Sequence, residues 1–415
     1  MKFGIDFGTS FSTMCALDAN GKPLVLRDEV GLDKIPSVVY WGKDGVKVGQ
    51  AAAEILGDTA GMAEDEKIET LGRIVKSVKR ELEPGRTITL PDGKQITPVD
   101  VVSEILGYLK RNAEELHFHT TVKEVSLTHP ATFTEAQKEL LTNAAKKAGF
   151  SSVRLMPEPI AAALGYVASG ADVGNGVIVF DFGGGTFDLA YLQKDADGNY
   201  HFPIQPLGDA MCGGDDFDQC IYDWAESQIK EKYGCAIADG FDVDLSFLML
   251  CRRAKERLSR SDEAPMRYFI ENIGRIHAST IKKINFEEMI KSRVDRTISL
   301  VGRMMNTLEG RNLPVETVLL VGGSTRIPLV AAKLKEMLPE KAPMRTTDTD
   351  TAVVMGSVYE MPKTETPMPG QSSDGRKAQS VVDSVNAALG KDKEKEIPPL
   401  LKQVQAALLR RQLGK

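Results

Sequence analysis

Apolar residues run unbroken in some stretches of this chain and recur at helical spacing in others. "VFDFGGGTFDLAYL", Val179–Leu192, reads as a buried strand, a three-glycine turn and a second strand. "GIDFGTSFSTMCAL", Gly4–Leu17, repeats the pattern near the chain start. Aligning Asp6 with Asp181 superposes Phe7 on Phe182, Gly8 on Gly183 and Leu17 on Leu192. Each copy continues into alternating strand and helix signals. "EVSLTHPATF", Glu124–Phe133, predicts a strand ending at a proline. Thr134 then caps "TEAQKELLTNAAKKAGF", whose apolar positions keep helical spacing and which closes at Gly149. "SVRLMPEPIAAALGYVASG" predicts a short strand, a Pro-Glu-Pro turn and an alanine-rich helix. In the second half Asp218–Tyr233 and Phe286–Leu308 read as helices, and "VETVLLVGGSTRIPLVAAKLKEML" as strand, glycine turn and helix.

Strands alternating with helices in two related halves predict an α/β protein of two lobes with a cleft between them. The first lobe is expected over residues 1–175 with an insertion at about 26–98. The second is expected over 176–360 with an insertion at about 221–285, its last helix returning to the first lobe. After Glu360 the texture changes. Residues 361–377 are rich in proline, glycine and polar residues and read as a linker. Residues 378–415 read as a helical tail, with Val381, Val385 and Leu389, then Leu401, Val404 and Leu408, on helical stripes. Those stripes, within 378–413, are expected to dock a protein partner, a second copy of this chain or the chain's own body.

Composition narrows the classes. A chain of 415 residues is long enough for two or three domains. A net charge of −6 gives no electrostatic reason to expect nucleic acid or an anionic membrane as partner. Five cysteines, Cys15, Cys212, Cys220, Cys235 and Cys251, show no zinc-type spacing, and their scatter fits thiols that pack in a reducing cytoplasm. No basic segment followed by an apolar stretch opens the chain, so no signal peptide is expected. No apolar run approaches the roughly 18 residues that span a bilayer.

The glycine turns carry the candidate chemistry. A turn without Cβ atoms lets backbone amides approach a polyanion. Gly183, Gly184 and Gly185 with Thr186 would supply such donors, and so would Gly8, Thr9 and Ser10. Placed opposite each other, the two hairpins would grip a phosphate chain from both sides. Asp6 and Asp181 end the preceding strands, and paired carboxylates beside phosphates suit Mg2+ that keeps part of its water shell. A third glycine turn at Gly322–Gly323 strengthens the nucleotide reading.

With these residues in hand, the chain resembles the nucleotide-binding domain of the seventy-kilodalton heat-shock chaperones, within the actin and hexokinase superfamily. The resemblance runs from Met1 to about Glu360. It rests on "GIDFGTSFS", "SVKREL", "MPEPIAAALGY", "VFDFGGGTFDLA" with "GGDDFD", and "VLLVGGSTRIP". It implies two actin-like, ribonuclease H-like lobes around a central nucleotide cleft, ATP or ADP with Mg2+, slow hydrolysis of ATP, and a nucleotide-driven conformational switch of chaperone type with co-chaperones as partners. It further implies that Lys79 orients the attacking water and stabilises the transferring phosphoryl group. Glu158 would act near the magnesium shell through water, Asp181 as base or metal partner beside Asp6, and Thr9 and Thr186 on the terminal phosphate. Gly214, Asp215, Lys255, Ser259, Gly322, Gly323, Arg326 and Asp350 would line the ribose and adenine pocket, with Arg326 on the purine face.

The sequence departs from that pattern in four places. Glu256 stands where the family has a second adenine-stacking arginine, which predicts weaker nucleotide binding. Lys138 replaces the arginine partner of Pro130, the family's switch proline. Phe11 replaces a polar or tyrosine side chain beside the phosphates. Residues 361–415 show no alternating strand pattern from which a peptide-binding β-sandwich could be built. Two other readings stay open: an actin-like ATPase that polymerises, and an acceptor kinase of the same superfamily.

Overall fold

The computed structural model describes residues 2–57, 62–237, 245–270, 273–338, 342–346 and 351–359. The expected linker 361–377, the expected tail 378–415 and Asp350 lie outside the described residues.

Two six-stranded sheets carry the fold. The first runs Ser152–Pro157, Glu124–His129, Phe3–Phe7, Phe11–Leu17 and Pro23–Val25, with Ile35–Pro36 also paired to Phe11–Leu17. The second runs Met344–Arg345, Thr317–Val321, Gly176–Phe182, Phe187–Lys194 and Tyr200–His201, with Leu207–Asp209 also on Phe187–Lys194. In both, two parallel neighbours lead to the first strand of a hairpin, and antiparallel pairing continues from there. The echo in the sequence is therefore an echo in topology.

Local chemistry explains the element limits. The first parallel strand stops at His129 because Pro130 has no amide to continue the ladder. Thr134 accepts from the Gln137 amide at 3.3 Å, while Gln137 accepts from the Thr134 amide at 3.0 Å. This reciprocal cap starts helix Glu135–Lys147. Helix Gly214–Tyr233 begins one turn earlier than its apolar spacing predicts. Its first turn is polar, and Asp216 caps it by accepting from the Gly213 amide at 2.7 Å.

The last helices of the two halves cross over. Helix Glu158–Ala168 follows the first half's outer strand, yet it packs into the core of the second sheet beside Val177, Val179, Leu192 and Leu319. Helix Ala352–Ser357 follows the second half's outer strand and packs on Phe3–Phe7 and Phe11–Leu17, burying Val354 against Cys15. The two helices meet backbone to backbone. A Cβ on Gly165 would stand 1.9 Å from the Ala352 carbonyl oxygen, and one on Gly356 would stand 1.7 Å from that of Ala161. Tyr166 adds a hydrogen bond to the Leu320 carbonyl at 2.9 Å. The chain thus crosses between its halves twice, next to the site described below.

Among the described residues no helix is long and apolar enough to cross a membrane. All five cysteines are free thiols, as their spacing led us to expect.

Gly356→Ala forces the crossing helices apart and should lower stability by at least about 1–3 kcal/mol. Gly310→Ala, where a Cβ would meet nothing within 4 Å, should be neutral or stabilise by up to about 1 kcal/mol. Urea titrations compare the two. A Gly356→Ala midpoint equal to the parent's contradicts the close approach.

Candidate functional site

The two hairpins are built in the same register. Asp6 lies opposite Thr13 and Phe7 opposite Ser12; Asp181 lies opposite Asp188 and Phe182 opposite Phe187. Each buried phenylalanine anchors its turn. Phe7 and Phe182 are fully buried, and Phe182 packs edge-on against Phe187 at 5.4 Å and Phe217 at 5.5 Å between ring centres. The second contact ties the three-glycine turn to helix Gly214–Tyr233. The same junction is sealed by polar bonds: the Gly183 carbonyl accepts from the Gly214 amide at 3.1 Å and from Ser324 Oγ at 2.8 Å, and the Gly184 carbonyl from the Asp215 amide at 2.7 Å. Among the described residues the amides of Thr9, Ser10, Gly184 and Gly185 donate to no backbone carbonyl, and Thr9, Ser10 and Gly184 line the cavity described below, where a ligand could pair with them.

The hairpins touch across the cleft. A Cβ on Gly184 would stand 2.1 Å from Ser10 Oγ, and one on Gly185 would stand 2.3 Å from Thr9 Cγ2. Glycine is needed there for close approach, whatever else it does. Ser10 Oγ donates to Asp215 at 3.1 Å and Ser77 Oγ to the other oxygen of Asp215 at 3.2 Å. Arg80 pairs with Asp216 at 2.7 Å and donates to the Gly185 carbonyl. Burial alone would raise the Asp215 carboxyl, but the cations Arg252, Lys255 and Lys76 outweigh it and hold the group below the usual range.

Behind the turns lie four carboxyls around one ammonium: Glu158 and Asp188 are buried, and Asp6 and Asp181 are partly buried and line the cavity. Lys79 Nζ is 2.7 Å from Glu158 Oε1, both nearly inaccessible. Burial lowers the affinity of Lys79 for its proton, yet Glu158 and Asp6 overcome that and hold it charged. Thr128 donates to Asp6 at 2.8 Å and Thr132 to Asp188 at 2.7 Å. Burial pushes all four carboxyls up. Asp181, further raised by Asp188 and Asp6, reaches about 7.

One cavity of about 790 Å³ joins these parts. Every residue nominated from the sequence lines it, except Gly185, which is turned against Thr9, and Asp350, which lies outside the described residues. Some nominated side chains are already engaged. Lys255 pairs with Asp218 at 2.8 Å and donates to the Gly214 carbonyl at 2.7 Å. Lys138 pairs with Glu135 at 2.8 Å, and the Pro130 carbonyl accepts from Phe133.

Sequence reasoning missed several residues. Asp188 was legible as the partner of Thr13 in the aligned repeat, but the unlike residue types hid it. Arg252 had a weaker signal, four residues before Glu256 on one helix face. It pairs with Glu256 at 3.3 Å and lies over the Phe11 ring, 4.8 Å from its centre. Two of the departures noted above, Phe11 and Glu256, therefore bind the same arginine across the cleft.

Asp181 holds a proton in the folded state between about pH 4 and 7 that the unfolded chain releases. A carboxyl raised by folding costs stability once ionised, so stability of the ligand-free protein should fall as pH rises through that window. Asp181→Asn should flatten the fall by up to about 1.4 kcal/mol per pH unit. Urea titrations at pH 4.5, 5.5 and 6.5 measure it, and parallel profiles for parent and variant would refute the assignment.

Residues 2–361 match the family described as Hsp70 protein. The chain is similar to the protein named "Chaperone protein DnaK" from Mycoplasmopsis agalactiae, with 33% identity over 362 residues, covering 86% of this chain and 58% of that protein. It is equally similar to the protein of that name from Ureaplasma urealyticum, with 33% identity over 377 residues, covering 86% of this chain and 57% of the other. The chain spans a little over half the length of these curated relatives. With the paired hairpins, the interlobe cavity and a match over nearly all described residues, the chain belongs to the Hsp70 family.

Proposed function

We propose that this protein binds ATP in the interlobe cavity and hydrolyses it slowly to ADP and phosphate, using closure of the lobes as a chaperone-type conformational switch. The observation that carries the reading is the buried Lys79–Glu158 pair at 2.7 Å, set among three further carboxyls at the closed end of a cavity whose turns offer unpaired amides. The glycine turns cradle the phosphates, and Thr9 and Thr186 close on the terminal one. Lys79 faces the transferring group and stabilises the charge spread over its oxygens. Glu158, held by Lys79, orients a water, and Asp181 serves either as the base for its proton or as a metal partner. Ser259, Gly322, Gly323 and Arg326 line the nucleoside end. Asp350 belongs to the same proposal by its motif.

The donor chemistry fits magnesium. Among the described residues no three acidic, histidine or cysteine side chains stand close enough to hold a metal alone. An ion that keeps waters and takes phosphate oxygens needs only the carboxylates present. Asp6 and Asp181 would hold it, with Glu158 acting through water. Bound there, Mg2+ would offset the repulsion of the carboxylates and neutralise phosphate charge.

A cytoplasmic site of action follows from this assignment, with co-chaperones as partners and residues 378–413 as a surface for a protein partner or a second copy.

Phosphate release from ATP without any added acceptor tests the reaction. Lys79→Ala should lower turnover at least about 100-fold while ADP still binds; wild-type turnover in that variant would defeat the role given to Lys79. Phosphate appearing only when a sugar or carboxylic acid is added would favour an acceptor kinase. Freeing Arg252 by Phe11→Ala removes a contact of about 0.5–2 kcal/mol. Release of labelled ADP in stopped flow should then quicken about 2- to 30-fold, and an unchanged rate would show that the contact does not restrain the cleft.

A further inference from the structure

The nucleoside end of the cavity carries more positive charge than a neutral sugar and base call for. Helix Leu245–Leu258 and the turn after it place Arg253, Arg257 and Arg260 on the cavity wall. A spacing of four residues puts Arg253 and Arg257 on one helix face, and Arg260 follows in the turn after the helix. All three are exposed, and none makes an ion pair or a side-chain hydrogen bond among the described residues. Lys34 lines the same wall from the first half. Among the described residues that line the cavity beside them, two acids stand on this side, Asp215 and Glu256. Glu256 is taken up by Arg252, and Asp215 accepts from Ser10 and Ser77 beside the phosphate turns. The chain as a whole is acidic, with a net charge of −6, so the cluster does not follow from a basic composition.

Three exposed guanidinium groups lining one cavity repel one another, and an anion arriving between them gains charge-assisted, forked hydrogen bonds. In the reading above Lys79 serves the 5′ phosphates, and the arginines alternate along the chain with Lys255 and Ser259, which that reading places at the ribose and adenine. We infer that this end accepts a second anionic group. The site then favours an adenine nucleotide that carries phosphate on a ribose hydroxyl as well as at its 5′ position. This rests on the nucleotide reading above and adds a ligand class to it. The arginines select such nucleotides over ordinary ones, and their contribution fades with salt because they are exposed.

Calorimetry on the whole chain with Mg2+ at low salt tests it, using ADP, adenosine 5′-monophosphate and the 2′,5′- and 3′,5′-bisphosphates of adenosine. At least one bisphosphate should bind about tenfold or more tightly than the monophosphate. The gain should vanish in the triple variant Arg253→Ala, Arg257→Ala, Arg260→Ala, with ADP affinity kept within about twofold. If ADP binds and neither bisphosphate exceeds the monophosphate, the inference is overturned and the nucleotide reading stands. A gain that survives in the triple variant overturns the assignment to these arginines. If ADP itself does not bind, both fall together. The exposed positions make folding of the variant easy to verify by its urea midpoint.

Discussion

Lys79 is the cation that acts on all four carboxyls of the site, Asp6, Glu158, Asp181 and Asp188. Taking carboxylates out of water is costly, and a single ammonium cannot balance four of them. Burial therefore raises their proton affinities, and ionisation of the cluster stays costly until a cation offsets it. The surrounding structure is arranged to keep it so. Thr128 holds Asp6, Thr132 and Thr186 hold Asp188, and the phenylalanines next to Asp6 and Asp181 are packed without exposure.

The same constraint explains why the two halves approach so closely. A pocket open to water would screen the carboxyls and leave nothing for a ligand to neutralise. The hairpins close it by direct contact, with Thr9 and Ser10 seated against Gly185 and Gly184. Asp215 and Asp216, successive residues of one helix start, take up Ser10, Ser77 and Arg80 from the other half. These are short polar links at the surface of the cleft, not a shared apolar core, so separation of the lobes exposes little hydrophobic area. The crossed helices Glu158–Ala168 and Ala352–Ser357 form the opposite kind of junction, apolar and backbone-tight. The halves are thus joined by a backbone-tight apolar crossing on one side and by polar links across the cleft on the other.

Much of the fold was legible because repetition is visible in one dimension. A buried strand, a glycine turn and a second strand leave the same trace twice, and the register of Asp6 with Thr13 matches that of Asp181 with Asp188. Boundaries were less legible where capping, not apolar spacing, starts an element, as at Gly213–Asp216. In the site, glycines and acids in motifs stood out. Arg80, Asp188 and Arg252 did not, because their roles depend on partners more than 50 residues away.

The order of residues by itself determined the two matching hairpins, the α/β alternation, the family and nearly the whole roster of cavity residues. Each of these rests on local periodicity, turn chemistry or a motif. Tertiary structure alone decided that Gly185 faces Thr9 and not the cavity, that Phe11 and Glu256 share Arg252, and that helix Glu158–Ala168 packs on the second half's sheet. Those outcomes depend on which backbones come within van der Waals distance, and proximity across the cleft has no period along the chain.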